Sequence, residues 1–308
     1  MQFEAIETYS LPRGGTDLWE RDYLHLQMLS IPSCTIQPSA AEFPKVMLIK
    51  AAINGGRTKA EHAAVPITPE EQAAAVVECL RAGAGAIHLH VRSTSSDENT
   101  QSEKESLYAG DVARTLSAVW SSAMKAKIGA RKAQIGISTG AWILPDPAAR
   151  LQAVAGWKVL PGFASVNFGE EGAVELAQLL LSRGVGVEAG LCDSGAAEVF
   201  LKSNLAARCI RVLLEPQEQE MDGALETVNA IEKVLESGVL EVTRLIPLLM
   251  HGTEATVWPM MDEAIARGYD VRIGLEDTLA LPDGRGVQDN AELVAEAVRR
   301  VRTPSSEQ

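Results

Sequence analysis

Residues 68–92, TPEEQAAAVVECLRAGAGAIHLHVR, carry the pattern that decides the fold. The first part predicts a helix, because Thr68 can cap its first turn, Pro69 suits the first helical position and Gly83 can end it. The second part, AIHLHVR, has the length and the apolar content of a buried strand. A helix that leads directly into such a strand is the repeating step of α/β proteins.

The same alternation continues along the chain from Lys45. The pattern predicts strands at residues 46–52, 86–92, 133–138, 163–168, 185–190, 209–215, 243–249 and 270–276. It predicts helices at residues 69–83, 109–126, 147–156, 171–183, 194–206, 222–237, 253–267 and 288–302. Eight such units predict an α/β chain folded as a (β/α)₈ TIM barrel, and an open doubly wound sheet is the alternative.

The segments outside this alternation are short. Residues 1–43 contain Pro, Ser, Thr and Gly without sustained periodicity. We interpret them as an N-terminal extension that drapes over the domain or packs on a partner subunit. The catalytic barrel is expected at residues 44–303, followed by a C-terminal tail at residues 304–308.

Composition excludes several classes of protein. The chain has 308 residues and a formal net charge of −13, which argues against general binding to nucleic acid or to an anionic membrane. No apolar stretch reaches the roughly 18–20 residues of a membrane span, and the N-terminus lacks the pattern of a signal peptide. The four cysteines form no CxxC pair, so we expect reduced thiols. Together these features predict a cytoplasmic protein.

Two of the five histidines stand at the end of the second predicted strand. Side chains alternate along a strand, so His88 and His90 share the face opposite to that of Leu89. Two imidazoles on one face can bind one Zn²⁺, and the carboxyl ends of the strands form the active face of a barrel. The alternative is a pair of hydrogen-bonded histidines in the core.

The eighth predicted strand ends with RIGLED, residues 272–277. Alternation puts Arg272 and Glu276 on one face, where Glu276 can supply a third, carboxylate ligand to a metal. Asp277 follows directly. The alternative for Glu276 and Asp277 is the start of a loop with a helix-capping role.

Other strand ends carry further polar residues. Ser138 and Thr139 follow the third strand and Asn167 ends the fourth, where their side chains can bind a substrate carboxylate or simply form a polar turn. Glu188 lies inside the apolar fifth strand, and a buried acid requires a partner or a function. His251 follows the seventh strand and is expected to form a wall of the site or to lie behind the ligands.

The first strand is followed by Asn54-Gly55-Gly56-Arg57. These residues lack the spacing of a phosphate-binding loop, so the glycines are expected to let the backbone turn closely past the mouth of the barrel. Arg57 is then placed to meet an anion, with a solvent-exposed arginine as the alternative.

Several of these motifs together resemble one known family, the β-keto acid cleavage enzymes, which are zinc-dependent (β/α)₈ proteins. The resemblance runs from Lys45 to Arg302. Its specific parts are PITPEE (66–71), AGAGAIHLHVR (82–92), ISTG (137–140), GLED (274–277) and the HG…W pattern around His251 and Trp258. The family implies a homo-oligomer that condenses a β-keto acid with acetyl-CoA, giving acetoacetate and the CoA thioester of the remaining fragment.

The resemblance implies roles for residues at matching positions. His88, His90 and Glu276 match the zinc ligands of the family. Asp277 matches its catalytic acid/base, and Arg272 matches the arginine that works beside that acid.

The other matches concern the substrate. Ser138 falls at the serine that binds the substrate carboxylate, Asn167 lies near a position often held by threonine, and Glu188 falls at an acidic site. Many members carry a glutamate, suited to an amino group, where this chain has Arg57. The arginine therefore implies a substrate with a second, distal carboxylate, which a guanidinium binds through two hydrogen bonds.

Two other functions are the alternatives. The first is a different metal-dependent aldolase or hydrolase on the same barrel, although zinc hydrolases of the amidohydrolase type carry the HxH pair on the first strand. The second is a metal-binding relative without activity, against which the joint presence of His88, His90, Arg272, Glu276 and Asp277 argues.

Overall fold

The structure, a computed structural model, describes residues 47–93, 103–128, 135–238 and 246–303. Within these residues, eight parallel strands close into a barrel in the order β1 to β8, and helices alternate with them. The predicted (β/α)₈ TIM barrel is therefore confirmed. The predicted N-terminal extension and C-terminal tail lie outside the described residues.

The elements follow the predicted order closely. The strands are β1 Ile49–Ala52, β2 Ala86–Leu89, β3 Ile135–Ser138, β4 Phe163–Asn167, β5 Gly186–Leu191, β6 Arg211–Leu214, β7 Leu248–Met250 and β8 Asp270–Ile273. The helices are α1 Pro69–Ala82, α2 Ala109–Lys125, α3 Pro147–Ala155, α4 Ala173–Ser182, α5 Ser194–Lys202, α6 Met221–Ser237, α7 Val257–Arg267 and α8 Asn290–Arg302. None of these described helices is both long and apolar enough to cross a membrane.

Helix α1 shows how local sequence sets its own boundaries. Thr68 accepts a hydrogen bond from the backbone N–H of Glu71, and the Glu71 carboxylate accepts one from the N–H of Thr68. This reciprocal pair satisfies amide groups that the first helical turn leaves free. Gly83 then ends the helix with a φ of 115°, a conformation that strongly favours glycine.

The eighth strand is shorter than predicted, ending at Ile273 rather than at Glu276. A side chain on Gly274 would place its Cβ 1.8 Å from the carbonyl oxygen of Ala52, so only glycine permits this approach to β1. The N–H groups of Asp277 and Thr278 then donate to the carbonyl of Gly274, which closes a turn. The chain thus leaves the strand and presents residues 276 and 277 at the mouth of the barrel.

Apolar side chains of the strands and helices form the main core. Ile87 and Leu89 of β2 belong to the same buried cluster as Val76 of α1 and Val112 of α2. This arrangement matches the predicted alternation, because the neighbouring His88 is left on the opposite face of its strand.

The barrel interior also contains a buried ion pair. The Lys50 Nζ lies 2.5 Å from the Glu188 Oε2, and both side chains are fully buried. The Nε of Arg211 lies 3.5 Å from the other Glu188 oxygen. Burial lowers the pKa of Lys50 to about 8, against the opposing effect of Glu188. Burial by itself would raise the pKa of Glu188, but Lys50 and Arg211 hold it below its ordinary value.

This ion pair gives a stability prediction. Lys50→Met should lower the free energy of unfolding by about 3–5 kcal/mol, because it leaves the buried Glu188 carboxylate without its main partner. The double variant Lys50→Met/Glu188→Leu should recover part of that loss, since it removes both charges. Urea denaturation of the three proteins measures the difference.

The matched control is Lys59→Met. The Lys59 Nζ lies 2.9 Å from the Glu71 carboxylate, but more than one third of each side chain is exposed to solvent. Loss of this pair should therefore change the free energy of unfolding by less than about 1 kcal/mol. If the double variant were less stable than Lys50→Met, the loss in Lys50→Met could not be explained by a buried Glu188 carboxylate without a partner.

Candidate metal centre and active site

The candidate site is a cavity of about 520 Å³ at the carboxyl ends of the barrel strands. Polar residues from most of the strand ends line it. They are His88, His90, Ser138, Ser165, Asn167, Glu215, His251, Arg272, Glu276 and Asp277, among others. This is the face at which TIM-barrel enzymes carry out their chemistry.

His88 and His90 converge at one side of this cavity. Their Nε2 atoms lie 3.0 Å apart, and both imidazoles are almost fully buried. The backbone at His90 is fixed by Asn54, whose Oδ1 accepts from the His90 N–H at 2.8 Å and whose Nδ2 donates to its carbonyl at 2.9 Å. The end of β1 therefore sets the direction of the histidine at the end of β2.

Glu276 completes a group that can hold a metal. Its Oε2 lies 3.7 Å from the Nε2 of His88, and its Oε1 lies 3.4 Å from the Nε2 of His90. One ligand atom from each residue lies within 4.8 Å of the others. Gly55, with a φ of 49°, makes room for Glu276, because a Cβ there would lie 2.3 Å from the glutamate Cγ. The predicted close turn at this glycine is thus explained.

Two observations test whether these residues suit a metal ion. The Oε2 of Glu276 is buried and has no hydrogen-bond partner within the described residues. Burial alone would raise the pKa of Glu276, but Arg272 and the two histidines hold it well below its usual range. Two imidazoles and an ionised carboxylate form a donor set that suits Zn²⁺.

Arg272 holds both acids of the GLED motif. Its Nη2 donates to Glu276 at 2.5 Å and to Asp277 at 2.7 Å, and its Nε lies 3.2 Å from both oxygens of Asp277. Burial raises the pKa of Asp277 to about 6, although Arg272 opposes this shift. The two neighbouring carboxyl groups thus differ: one stays ionised, and the other can exchange a proton near neutral pH.

The predicted substrate residues divide into two groups. Ser138 and Asn167 line the cavity, and the Asn167 Nδ2 donates to Glu170 at 2.9 Å. Thr139 does not line it, because its hydroxyl points into the barrel wall and donates to the carbonyl of Ser165 at 2.6 Å.

Two predicted residues lie elsewhere than expected. Glu188 is enclosed below the cavity with Lys50, so its contacts favour a structural role over the predicted catalytic one. Arg57 is not among the cavity residues, because its guanidinium turns away to form ion pairs with Glu254 and, at 3.3 Å, with Glu61. The predicted contact between Arg57 and a distal substrate carboxylate therefore has no support from the placement of this side chain.

Sequence reasoning missed Glu105, which supports His90. The His90 Nδ1 lies 2.8 Å from the Glu105 Oε2, which also accepts from the indole N–H of Trp142 at 3.0 Å. The Trp142 ring stacks on His90 with centroids 6.0 Å apart. Burial alone would lower the pKa of His90, but Glu276 and Glu105 raise it to about 9. Glu105 stands in a polar loop rich in acids, so no periodicity distinguished it.

Glu215 was also missed, although a signal for it existed. It directly follows β6, and a search for polar residues at every strand end would have included it. Its carboxylate lines the cavity beside His251, which the sequence predicted as a wall.

Comparisons with known structures extend the fold assignment. The ternary complex of ObcA with C4-CoA adduct and oxalate is 17% identical, with a TM-score of 0.57, and the match covers 78% of this chain and 64% of that one. The binary complex of ObcA with oxaloacetate is also 17% identical, with a TM-score of 0.55 and coverages of 77% and 63%. The chain thus spans less than two thirds of the length of ObcA, and at this identity the likeness concerns the fold.

The comparison with sequence families covers the whole described barrel. The family described as beta-keto acid cleavage enzyme matches residues 46–307, well over half of the chain. This match agrees with the resemblance carried by the HLH and GLED motifs. The chain therefore belongs to the beta-keto acid cleavage enzyme family.

Proposed function

We propose that this protein is a zinc-dependent acyltransferase that cleaves a β-keto acid with acetyl-CoA. The observation that carries the proposal is the convergence of His88, His90 and Glu276 beside the Arg272–Asp277 pair. The ObcA structures hold oxaloacetate, which is a β-keto acid, and a C4-CoA adduct, and these ligands are consistent with the same classes of substrate.

His88, His90 and Glu276 would hold the metal ion in this proposal. A bound Zn²⁺ would supply a Lewis acid that polarises the ketone and carboxylate oxygens of the keto acid. Arg272 adds a fixed positive charge beside the same position, where negative charge develops during the reaction. The Ser138 hydroxyl, and more loosely the Asn167 amide, are proposed to bind the substrate carboxylate.

Asp277 is proposed to move the proton. It takes a proton from the carbon between the carboxylate and the ketone, and that carbon attacks the thioester carbonyl of acetyl-CoA. A carbon–carbon bond forms and the CoA thiolate leaves. The thiolate then attacks the original ketone carbon, and the bond between this carbon and its neighbour breaks. Acetoacetate departs with the proton that Asp277 returns, and the remaining fragment departs as a new CoA thioester.

The wider predictions about the protein belong to the same proposal. Homo-oligomeric assembly follows from the family resemblance, and a cytoplasmic location follows from composition. An assay with acetyl-CoA and a panel of β-keto acids tests the central claim, with acetoacetate as the measured product. Acyl transfer without acetoacetate, or keto-acid cleavage without acetyl-CoA, would favour the aldolase or hydrolase alternative.

The metal assignment predicts the effect of His90→Ala. This variant should lose most of its bound zinc, because it removes one of three ligands, while its circular dichroism stays close to that of the wild type. Elemental analysis measures the metal content. The matched control is His62→Ala, because the His62 Nε2 contacts the carbonyl of Val287 rather than the metal group. Full zinc content in His90→Ala would exclude the assignment.

The proton-transfer role predicts the effect of Asp277→Asn. The amide keeps the size of the side chain but cannot accept the proton, so turnover should fall by about 100-fold or more. Zinc content should stay unchanged, since Asp277 is not one of the three proposed ligands. Asp283→Asn, at an exposed acid, is the control. A turnover of Asp277→Asn equal to that of the wild type would assign the proton transfer to another group.

The contact between Glu105 and His90 predicts a change in metal affinity. Glu105→Gln should weaken zinc binding by roughly 10- to 100-fold, because the carboxylate orients the imidazole and increases its basicity. Competition with a chelator measures this affinity without any assay of turnover. Glu103→Gln, two residues earlier, is the control. Equal zinc affinity in Glu105→Gln and wild type would show that the contact does not support the metal.

A further inference from the structure

Trp142 is a large aromatic side chain at the mouth of the cavity. It lies in the loop between β3 and α3 and lines the cavity, and 57% of its surface is exposed to solvent. It follows the ISTG motif in sequence but is not part of it. Its contacts indicate what it contributes to the site.

Two contacts join Trp142 to the group around the metal ligand His90. The indole Nε1 donates to the Oε2 of Glu105 at 3.0 Å, and the same oxygen lies 2.8 Å from the His90 Nδ1. The indole also stacks on the imidazole, with the two ring planes 21° apart. One carboxylate oxygen is therefore held by two aromatic rings that also pack on each other.

This oxygen matters because of the nitrogen that His90 presents to a metal. The His90 Nε2 lies 3.0 Å from the Nε2 of His88 and 3.4 Å from the Oε1 of Glu276, so it is the nitrogen that can bind the ion. The ring hydrogen then stays on Nδ1 and is donated to Glu105. A carboxylate in this position orients the imidazole and increases its basicity. A residue that fixes Glu105 thereby acts on the metal site.

Glu105 has a competing partner on its other side. The Nη1 of Arg92 lies 3.8 Å from the Glu105 Oε1, and the Arg92 side chain is almost fully buried. Rotation of the carboxylate toward this guanidinium would draw Oε2 away from His90. The N–H of Trp142 opposes that rotation. With the indole beside it, only 10% of the Glu105 side chain is exposed, which limits the access of water that would compete for the same oxygen.

The loop that carries Trp142 is itself anchored. The N–H of Ala141 donates to the Glu170 Oε2 at 2.9 Å, and the Nη1 of Arg150, a buried residue of α3, lies 3.6 Å from that oxygen. Gly140 lets the indole lie against the backbone, because a Cβ at this position would be 2.2 Å from the ring. The indole thus has a defined position, although much of its surface is exposed.

From these contacts we infer that Trp142 is a positioning residue of the metal site, which holds Glu105 against His90 and so strengthens zinc binding. Trp142 acts through Glu105 and is not itself a ligand. The inference rests on the proposed zinc site, but it does not depend on the proposed reaction.

The variant Trp142→Phe isolates the indole N–H. It keeps an aromatic ring beside His90 but removes the donor to Glu105. Its zinc affinity, measured by competition with a chelator, should be about 3- to 10-fold lower than that of the wild type, the usual effect of losing one hydrogen bond. Equal zinc affinity in Trp142→Phe and wild type would overturn the inference.

The matched control is Trp258→Phe. It also removes an indole N–H, but this one donates to the carbonyl of Ala280 at 3.0 Å rather than to Glu105. Its zinc affinity should equal that of the wild type. A loss as large as that in Trp142→Phe would overturn the inference, because the effect would then follow from any lost indole N–H.

A double variant shows whether Trp142 acts through Glu105. In Glu105→Ala the acceptor of the indole N–H is absent, so the addition of Trp142→Phe should change zinc affinity by less than about twofold. If the two losses multiplied, the effect of Trp142 would be independent of Glu105, and the inference would be overturned.

Zinc binding by the wild type separates this inference from the proposed function. If the variants behave as expected but no β-keto acid yields acetoacetate with acetyl-CoA, the proposed reaction fails and the inference stands. If the wild type binds no zinc, the proposed metal site fails and the inference fails with it. If the wild type and Trp142→Phe bind zinc equally tightly, the inference alone is overturned.

Discussion

The ion pairs of Arg272 organise the mouth of the barrel. One buried guanidinium donates to Glu276 and Asp277, which are adjacent in sequence but differ in their ionisation. Three charged groups would not be stable in this place separately, because the transfer of an unpaired charge out of water costs several kcal/mol. Together they orient one carboxylate toward the histidines, while burial raises the pKa of the other to about 6 against the opposing charge of Arg272. The metal group and the proposed acid/base therefore depend on the same side chain.

The charged layer below the mouth extends this dependence. Lys50 stands opposite Arg272 in the β1–β8 ladder, and its ammonium is bound by Glu188 of β5. Without Glu188, two cations would face each other in a low-dielectric interior. The Lys50–Glu188 pair thus belongs to the scaffold of the site, although neither residue lines the cavity. Barrel interiors filled only by branched apolar residues have no such electrostatic layer.

The cavity is asymmetric in its hydrogen-bonding groups. On the β2 side, His90 is supported by Glu105, and Trp142 packs over its ring. On the β6 and β7 side, the Oε2 of Glu215 lies 3.6 Å from the Nε2 of His251, and that nitrogen has no hydrogen-bond partner among the residues that the structure describes. An asymmetric site of this kind gives an elongated substrate one orientation.

The sequence by itself determined the barrel and the HxH pair, because these follow from local rules, whereas the predicted eighth strand ran three residues too far, to Glu276 rather than Ile273. These local rules involve residues only a few positions apart. They are the periods of strands and helices, the cap at Thr68 and the alternation that puts His88 and Leu89 on opposite faces of their strand. Closure of eight strands then brings the end of β8 beside the end of β1, where Gly55 and Gly274 leave room for Glu276 to reach the histidines. Only the tertiary structure decided which way Arg57 turns, what Glu188 binds, and that Glu105 takes part in the site. Each of these outcomes depends on a partner distant in the chain, 197 positions away for Glu254 and 138 for Lys50. No local pattern encodes such contacts, because packing and charge balance select them after the backbone is in place.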